Sequence, residues 1–132
     1  MRSAVRRRSF GSVTVFSLDE EVIQGSLAEW VTEIRKRPEV LAVVLFGSFA
    51  SGRAVPGSDL DVLVVLREDP RLFLDRVADY MPDDVPFPVD VFPYTLAEIE
   101  AGQPLAAEAL RTGKTLWARD DCGLPVPRTL SA

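Results

Sequence analysis

Two unbroken apolar runs, VLAVVLF at 40–46 and LDVLVVL at 60–66, constrain this chain more than any other feature. Neither alternates apolar with polar residues, as a strand with one wet face does, and both are short for a helix. Each therefore reads as a strand buried on both faces. The second carries its polar residues only at its start, where Asp59 precedes it. The segment joining the runs opens on Gly47-Ser48 and closes on Asp59-x-Asp61.

Further elements follow on either side. SVTVFS, from Ser12 to Ser17, reads as a strand, and Ser17 with Glu20 has capping-box spacing for a helix reaching about Lys36. Val22, Ile23, Leu27, Trp30, Val31 and Ile34 recur at helical spacing on its core face. Asp69-Pro70 reads as an N-cap and first helical residue of a helix to about Tyr80. PVDVFPY is a third strand, carrying Asp90, and TLAE a second capping box for a short helix stopping near Gly102. Pro104 starts a last helix through Arg111, Gly113 ends it, and KTLWA is a closing strand. Strands alternating with helices predict an α/β fold, one small mixed sheet with helices mainly on one face. At 132 residues the chain reads as one domain, 1–132, with residues 1–10 an irregular N-terminal arm and 119–132 an irregular tail.

Composition narrows the chemistry. The chain has no histidine, which removes the Ser-His-Asp triad and most zinc sites. A metal would be held by oxygen ligands, which suits Mg²⁺ or Mn²⁺. One cysteine, Cys122, permits no internal disulfide and fits a reducing, cytoplasmic setting. A net charge of −5 argues against direct nucleic-acid binding, which relies on Lys and Arg neutralising phosphates. No apolar stretch approaches the ~20 residues of a membrane span, and the N-terminal residues lack a signal-peptide pattern. The Arg6-Arg7-Arg8 block reads as part of a solvated arm.

Asp59 and Asp61 lie two apart on a predicted strand and so leave the same face, with Cα atoms about 6.5 to 7 Å apart. Without a cation such carboxylates repel. If the strand of Asp90 lies alongside, three carboxylates share a face, the pattern of a two-metal phosphoryl-transfer site. Gly47 permits a tight turn and close backbone approach, and Ser48 offers a hydroxyl and an N–H to a phosphate oxygen. Singly, a Gly-Ser is a turn and an Asp-x-Asp a solvated strand edge; it is their joint spacing that points to nucleotide chemistry.

The stretch FGSFASGRAVPGSDLDVLVV resembles the signature of the DNA polymerase β-like nucleotidyltransferase superfamily. It is similar in particular to the minimal nucleotidyltransferases, including the MntA-type antitoxins paired with HEPN-domain toxins. The resemblance implies that Gly47, Ser48 and Ser58 contact the nucleotide, and that Asp59, Asp61 and Asp90 ligate two Mg²⁺ ions, with Mn²⁺ an alternative. In that reading Asp90 also assists the acceptor hydroxyl. It implies transfer of AMP from ATP to a hydroxyl, a tyrosine of a HEPN-type toxin, in a hetero-oligomer. Many relatives carry a basic residue where this chain has Ser51; Arg53 follows two positions later. Two other functions stay open. One is a non-catalytic antitoxin that neutralises its partner by contact; the other is a transferase for a small molecule such as an aminoglycoside.

Overall fold

The computed structural model describes residues 5–10, 13–18, 20–47, 60–83, 85, 87–120 and 122–123, with backbone alone up to residue 20. Strands β1 (Val5–Phe10) and β2 (Val13–Leu18) pair antiparallel, Phe10 opposite Val13 and Val5 opposite Leu18. Residues 5–10, expected from sequence to belong to an irregular arm, thus form a strand. Ser17 belongs to β2, and helix α1 (Glu20–Ile34) begins three residues later.

The central sheet is built from β3 (Val40–Phe46), β4 (Leu60–Leu66), β5 (Val89–Thr95) and β6 (Lys114–Ala118). Its order is β5-β4-β3-β6. β3 runs antiparallel to both β4 and β6, whereas β4 and β5 are parallel. Antiparallel neighbours accept short connections, but a parallel pair needs a crossover. Residues 67–88 provide it, with helix α2 (Phe73–Tyr80) inside it. The short helices α3 (Leu96–Glu100) and α4 (Pro104–Thr112) then lead to β6.

Every residue of β3, and all of β4 except Asp61, is buried, so the central strands are covered on both sides as their apolar runs require. On one face Val43, Leu45, Leu60, Val62, Val64 and Leu66 cluster with Ile23, Leu27, Trp30, Val31 and Ile34 of α1 and with Tyr80. On the other, Leu41, Val44, Phe46, Leu63 and Val65 cluster with Ala106 and Ala109 of α4, with residues of α3 packed alongside. Helices thus cover both faces, not mainly one. The mixed sheet of the α/β expectation is present.

Local chemistry explains the remaining boundaries. α3 opens on a full capping box, the Thr95 hydroxyl accepting from the Glu98 N–H while the Glu98 carboxylate accepts from the Thr95 N–H. Pro104 occupies the first turn of α4, and Gln103 caps it by accepting from the Ala106 N–H at 2.9 Å. Asp69-Pro70 does not start α2. The Asp69 carboxylate is instead engaged by Arg71, at 2.6 Å, and the helix begins at Phe73 with no side-chain cap.

Gly113 ends α4 for a steric reason. Its backbone is extended, and an added Cβ would lie 2.6 Å from the Ala109 carbonyl oxygen and 2.7 Å from that of Leu45. Only a glycine lets α4 come this close to β3.

Candidate functional site

Asp61 and Asp90 are brought side by side by the one parallel pairing in the sheet. In the β4–β5 register Asp61 lies opposite Asp90, and in the antiparallel β3–β4 register it lies opposite Phe46. Alternation along β4 puts Asp61 on the face of Leu63 and Val65, and alternation along β5 puts Asp90 on the face of Phe92 and Tyr94. Both carboxylates therefore leave the α3/α4 face, from adjacent strands whose axes lie about 4.8 Å apart. Asp61 is half-buried and Asp90 exposed, so the pair sits where protein meets solvent.

Gly47 follows β3 directly and has φ +81°, a left-handed conformation that favours glycine. A Cβ there would press into the Asp61 carboxylate, 3.2 Å from Cγ and 3.4 Å from Cβ. The chain can turn over Asp61 only because residue 47 has no side chain. Expected from sequence to permit a tight turn, Gly47 lies directly against Asp61.

Ser48, Ser58 and Asp59 lie outside the described residues. Among the described residues no group of three His, Cys, Asp or Glu side chains converges to hold a metal. Asp61 and Asp90 form a pair, and a third carboxylate ligand would come from outside this set.

β5 is an edge strand, and its position depends on a residue the sequence reading passed over. Arg76 of α2 is buried, and its guanidinium donates to the carbonyls of Asp69 (3.1 Å), Arg71 (3.0 Å) and Pro93 (3.3 Å) and to the Glu98 carboxylate (2.7 Å). One side chain thus ties the crossover, β5 and the capping box of α3 together. Burial pushes the Glu98 carboxyl up, but hydrogen bonds from Arg76 and the Thr95 N–H outweigh it and hold it below its usual range. Pro93, which lacks an N–H, is tolerated because among the described residues no strand pairs with the outer edge of β5. The signal for Arg76 was an arginine on the buried side of a short amphipathic helix, a place where a cation needs several acceptors.

With this geometry in view, the model of the nucleotidyltransferase domain matches residues 27–110, which include Gly47, Asp61 and Asp90. The chain belongs to the nucleotidyltransferase domain family. A Methanocaldococcus jannaschii protein, "Putative protein adenylyltransferase MJ1305", is 33% identical over 61 residues, 45% of this chain and 42% of that protein. The chain thus matches less than half the length of this curated relative. Among solved structures, a "putative nucleotidyltransferase" from Sulfolobus solfataricus superposes with a TM-score of 0.55 at 23% identity, covering 77% of this chain and 87% of that one. A toxin–antitoxin structure with AMP-PNP gives a TM-score of 0.50 at 21% identity, covering 78% and 80%. At these identities the two structures speak for the fold.

Proposed function

We propose that this chain transfers AMP from ATP to a hydroxyl of a partner protein, and that the partner is a HEPN-type toxin modified on a tyrosine. The observation that carries the reading is the pairing of Asp61 with Asp90 beneath the turn at Gly47. Two carboxylates in register on one face, at a solvent-accessible strand end, are a poor solution for a stable sheet. They suit a cation.

The donor set fits a hard divalent ion. It is all oxygen, the chain has no histidine, and Asp61 and Asp90 share a face. Asp61 and Asp90, joined by Asp59 two positions before Asp61 in sequence, would hold Mg²⁺, which supplies charge neutralisation on the triphosphate and on the leaving pyrophosphate. Gly47 lets the turn after β3 close directly over the Asp61 carboxylate, which keeps that carboxylate beside the start of the loop expected to meet the phosphates. Ser48 and Ser58 supply hydroxyls for those oxygens. Asp90, the more exposed carboxylate, takes the proton from the attacking hydroxyl. The new bond joins that oxygen to the α-phosphorus as the bond to pyrophosphate breaks. Support for a protein acceptor comes from the name of the M. jannaschii relative, and for a toxin partner from the toxin–antitoxin neighbour.

The test is intact-mass spectrometry of a HEPN-type toxin incubated with this chain, Mg²⁺ and ATP, beside an Asp59→Asn sample. A gain of one or more AMP units that needs the aspartate supports the reading. A tightly bound but unmodified toxin would favour neutralisation by contact, and transfer to a free aminoglycoside would favour a small-molecule enzyme.

A further inference from the structure

β4 and β5 run in the same direction, so whatever fixes their last residues against each other also fixes Asp61 against Asp90. Arg76 acts at that far end of the pair. Two of its acceptors, the carbonyls of Asp69 and Arg71, belong to the chain leaving β4. The other two, the Pro93 carbonyl and the Glu98 carboxylate, belong to the end of β5 and the helix that follows. Arg76 is 6% exposed, so these bonds form where water competes little.

The outer edge of β5 is finished by the same group. The Leu60 N–H donates to the Pro88 carbonyl at 3.0 Å. Alternation therefore turns the backbone of Asp90 and Phe92 toward β4, and that of Pro93 and Thr95 outward. Pro93 has a carbonyl only, and Arg76 takes it. The Thr95 N–H goes to Glu98 Oε1 at 2.9 Å, the same oxygen that Arg76 holds at 2.7 Å. Side-chain packing selects the register less sharply. Sliding β5 by two residues would set Phe92 opposite Asp61 and Tyr94 opposite Leu63, exchanging one aromatic for another on the same face. It would also carry Asp90 about 6.5 to 7 Å from its place beside Asp61.

We propose that Arg76 is a positioning residue for the carboxylate pair: by clamping the ends of β4 and β5 it sets the register in which Asp61 and Asp90 hold one divalent ion. The inference rests on the transferase reading for the ion, and on the hydrogen bonds of Arg76 for the register.

The experiment is a Mn²⁺ titration of the full chain without nucleotide, read from the electron paramagnetic resonance signal of free Mn²⁺, with each variant shown folded by circular dichroism. Asp61→Asn defines the part of the binding that belongs to the site. Arg76→Lys keeps the charge but loses the planar fork, and should weaken that part about tenfold. Arg76→Ala should do the same and recover severalfold when guanidinium is added below denaturing concentrations; if it does not fold, the lysine variant decides. Tyr80→Phe, which removes a 2.6 Å hydrogen bond to Glu39 made from the same helix, should shift the affinity by less than about twofold. Native affinity in Arg76→Lys, equal weakening by Tyr80→Phe, or no recovery of a folded Arg76→Ala with guanidinium would each overturn the proposal, while loss of binding in Asp61→Asn leaves the metal site standing. No Asp61-dependent binding in the native chain would instead overturn the metal site, and the proposal with it.

Discussion

The face of the sheet beneath α1 and the face beneath α3 and α4 are covered in opposite ways. The first is sealed by bulk: α1 alone buries Ile23, Leu27, Trp30, Val31 and Ile34. Its margin is closed by ion pairs linking Arg37, Asp79 and Arg71, and by Arg119, whose guanidinium caps the carbonyls of Arg35, Arg37 and Val40. The second is sealed by closeness. α4 buries only Ala106 and Ala109, α3 buries nothing fully, and Gly113 brings backbone against backbone. Bulk supplies stability through apolar area, roughly 25 cal/mol per Å². Small residues supply less, and among the described residues Gly47 and Asp61 stay half-buried and Asp90 exposed at the strand ends on this side. The carboxylates lie on the thinly covered face.

If that division holds, substitutions on the two faces should separate activity from stability. Asp61→Asn should cut AMP transfer by roughly a thousandfold, as loss of a charge-stabilising group does, with little change in melting temperature. Measured together in a transfer assay and a thermal melt, a large loss of stability with activity retained would break the comparison. Leu27→Ala, on the sealed face, should cost about 2 to 5 kcal/mol in denaturant unfolding. The molecules still folded should turn over normally. Gly113→Ala tests the closeness of the other face. It should cost about 1 to 3 kcal/mol, because the new methyl meets two carbonyl oxygens that belong to packed backbone. A neutral result there would mean α4 can shift freely.

The smallest effect concerns the margin of the sealed face. Hydrogen bonds from Arg37, with further help from Arg71, hold the Asp79 carboxyl down at about 2, against partial burial. A depressed carboxylate contributes stability that is complete above its unfolded value, near 3.8, and is lost as pH falls towards about 2. The gap in melting temperature between the native chain and Asp79→Asn should therefore shrink between pH 4 and pH 2, and stay constant above it.

Much of this arrangement could be read from local chemistry. The continuous runs gave β3 and β4, the Thr95 and Glu98 box gave α3, and Pro104 gave the start of α4. Those same runs also implied cover on both faces, so helices on one side were inconsistent with strands that have no wet face. β1 was missed although Gly11-Ser12 between two β-prone stretches is a pair that two-residue hairpin connections use. The start of α2 was misplaced because a capping aspartate and an aspartate bound by a nearby arginine look alike in sequence. In the candidate site, Gly47 and the acidic residues were legible as types. Their partnership was not, since opposition of Asp61 to Asp90 depends on strand order and direction, which tertiary packing sets.

The parallel pairing of β4 and β5 also orders events during folding. Gly47 and Asp61 meet once the loop between β3 and β4 closes, but Asp61 and Asp90 are twice as far apart along the chain. Each doubling of a closing loop costs only about 0.6 kcal/mol in chain entropy, so the delay comes mainly from the elements that must dock first. Because the four acceptors of Arg76 span the crossover, β5 and α3, β5 is expected to settle beside β4 only once α2 has formed. On that expectation the two neighbouring carboxylates come together late, against a core already formed.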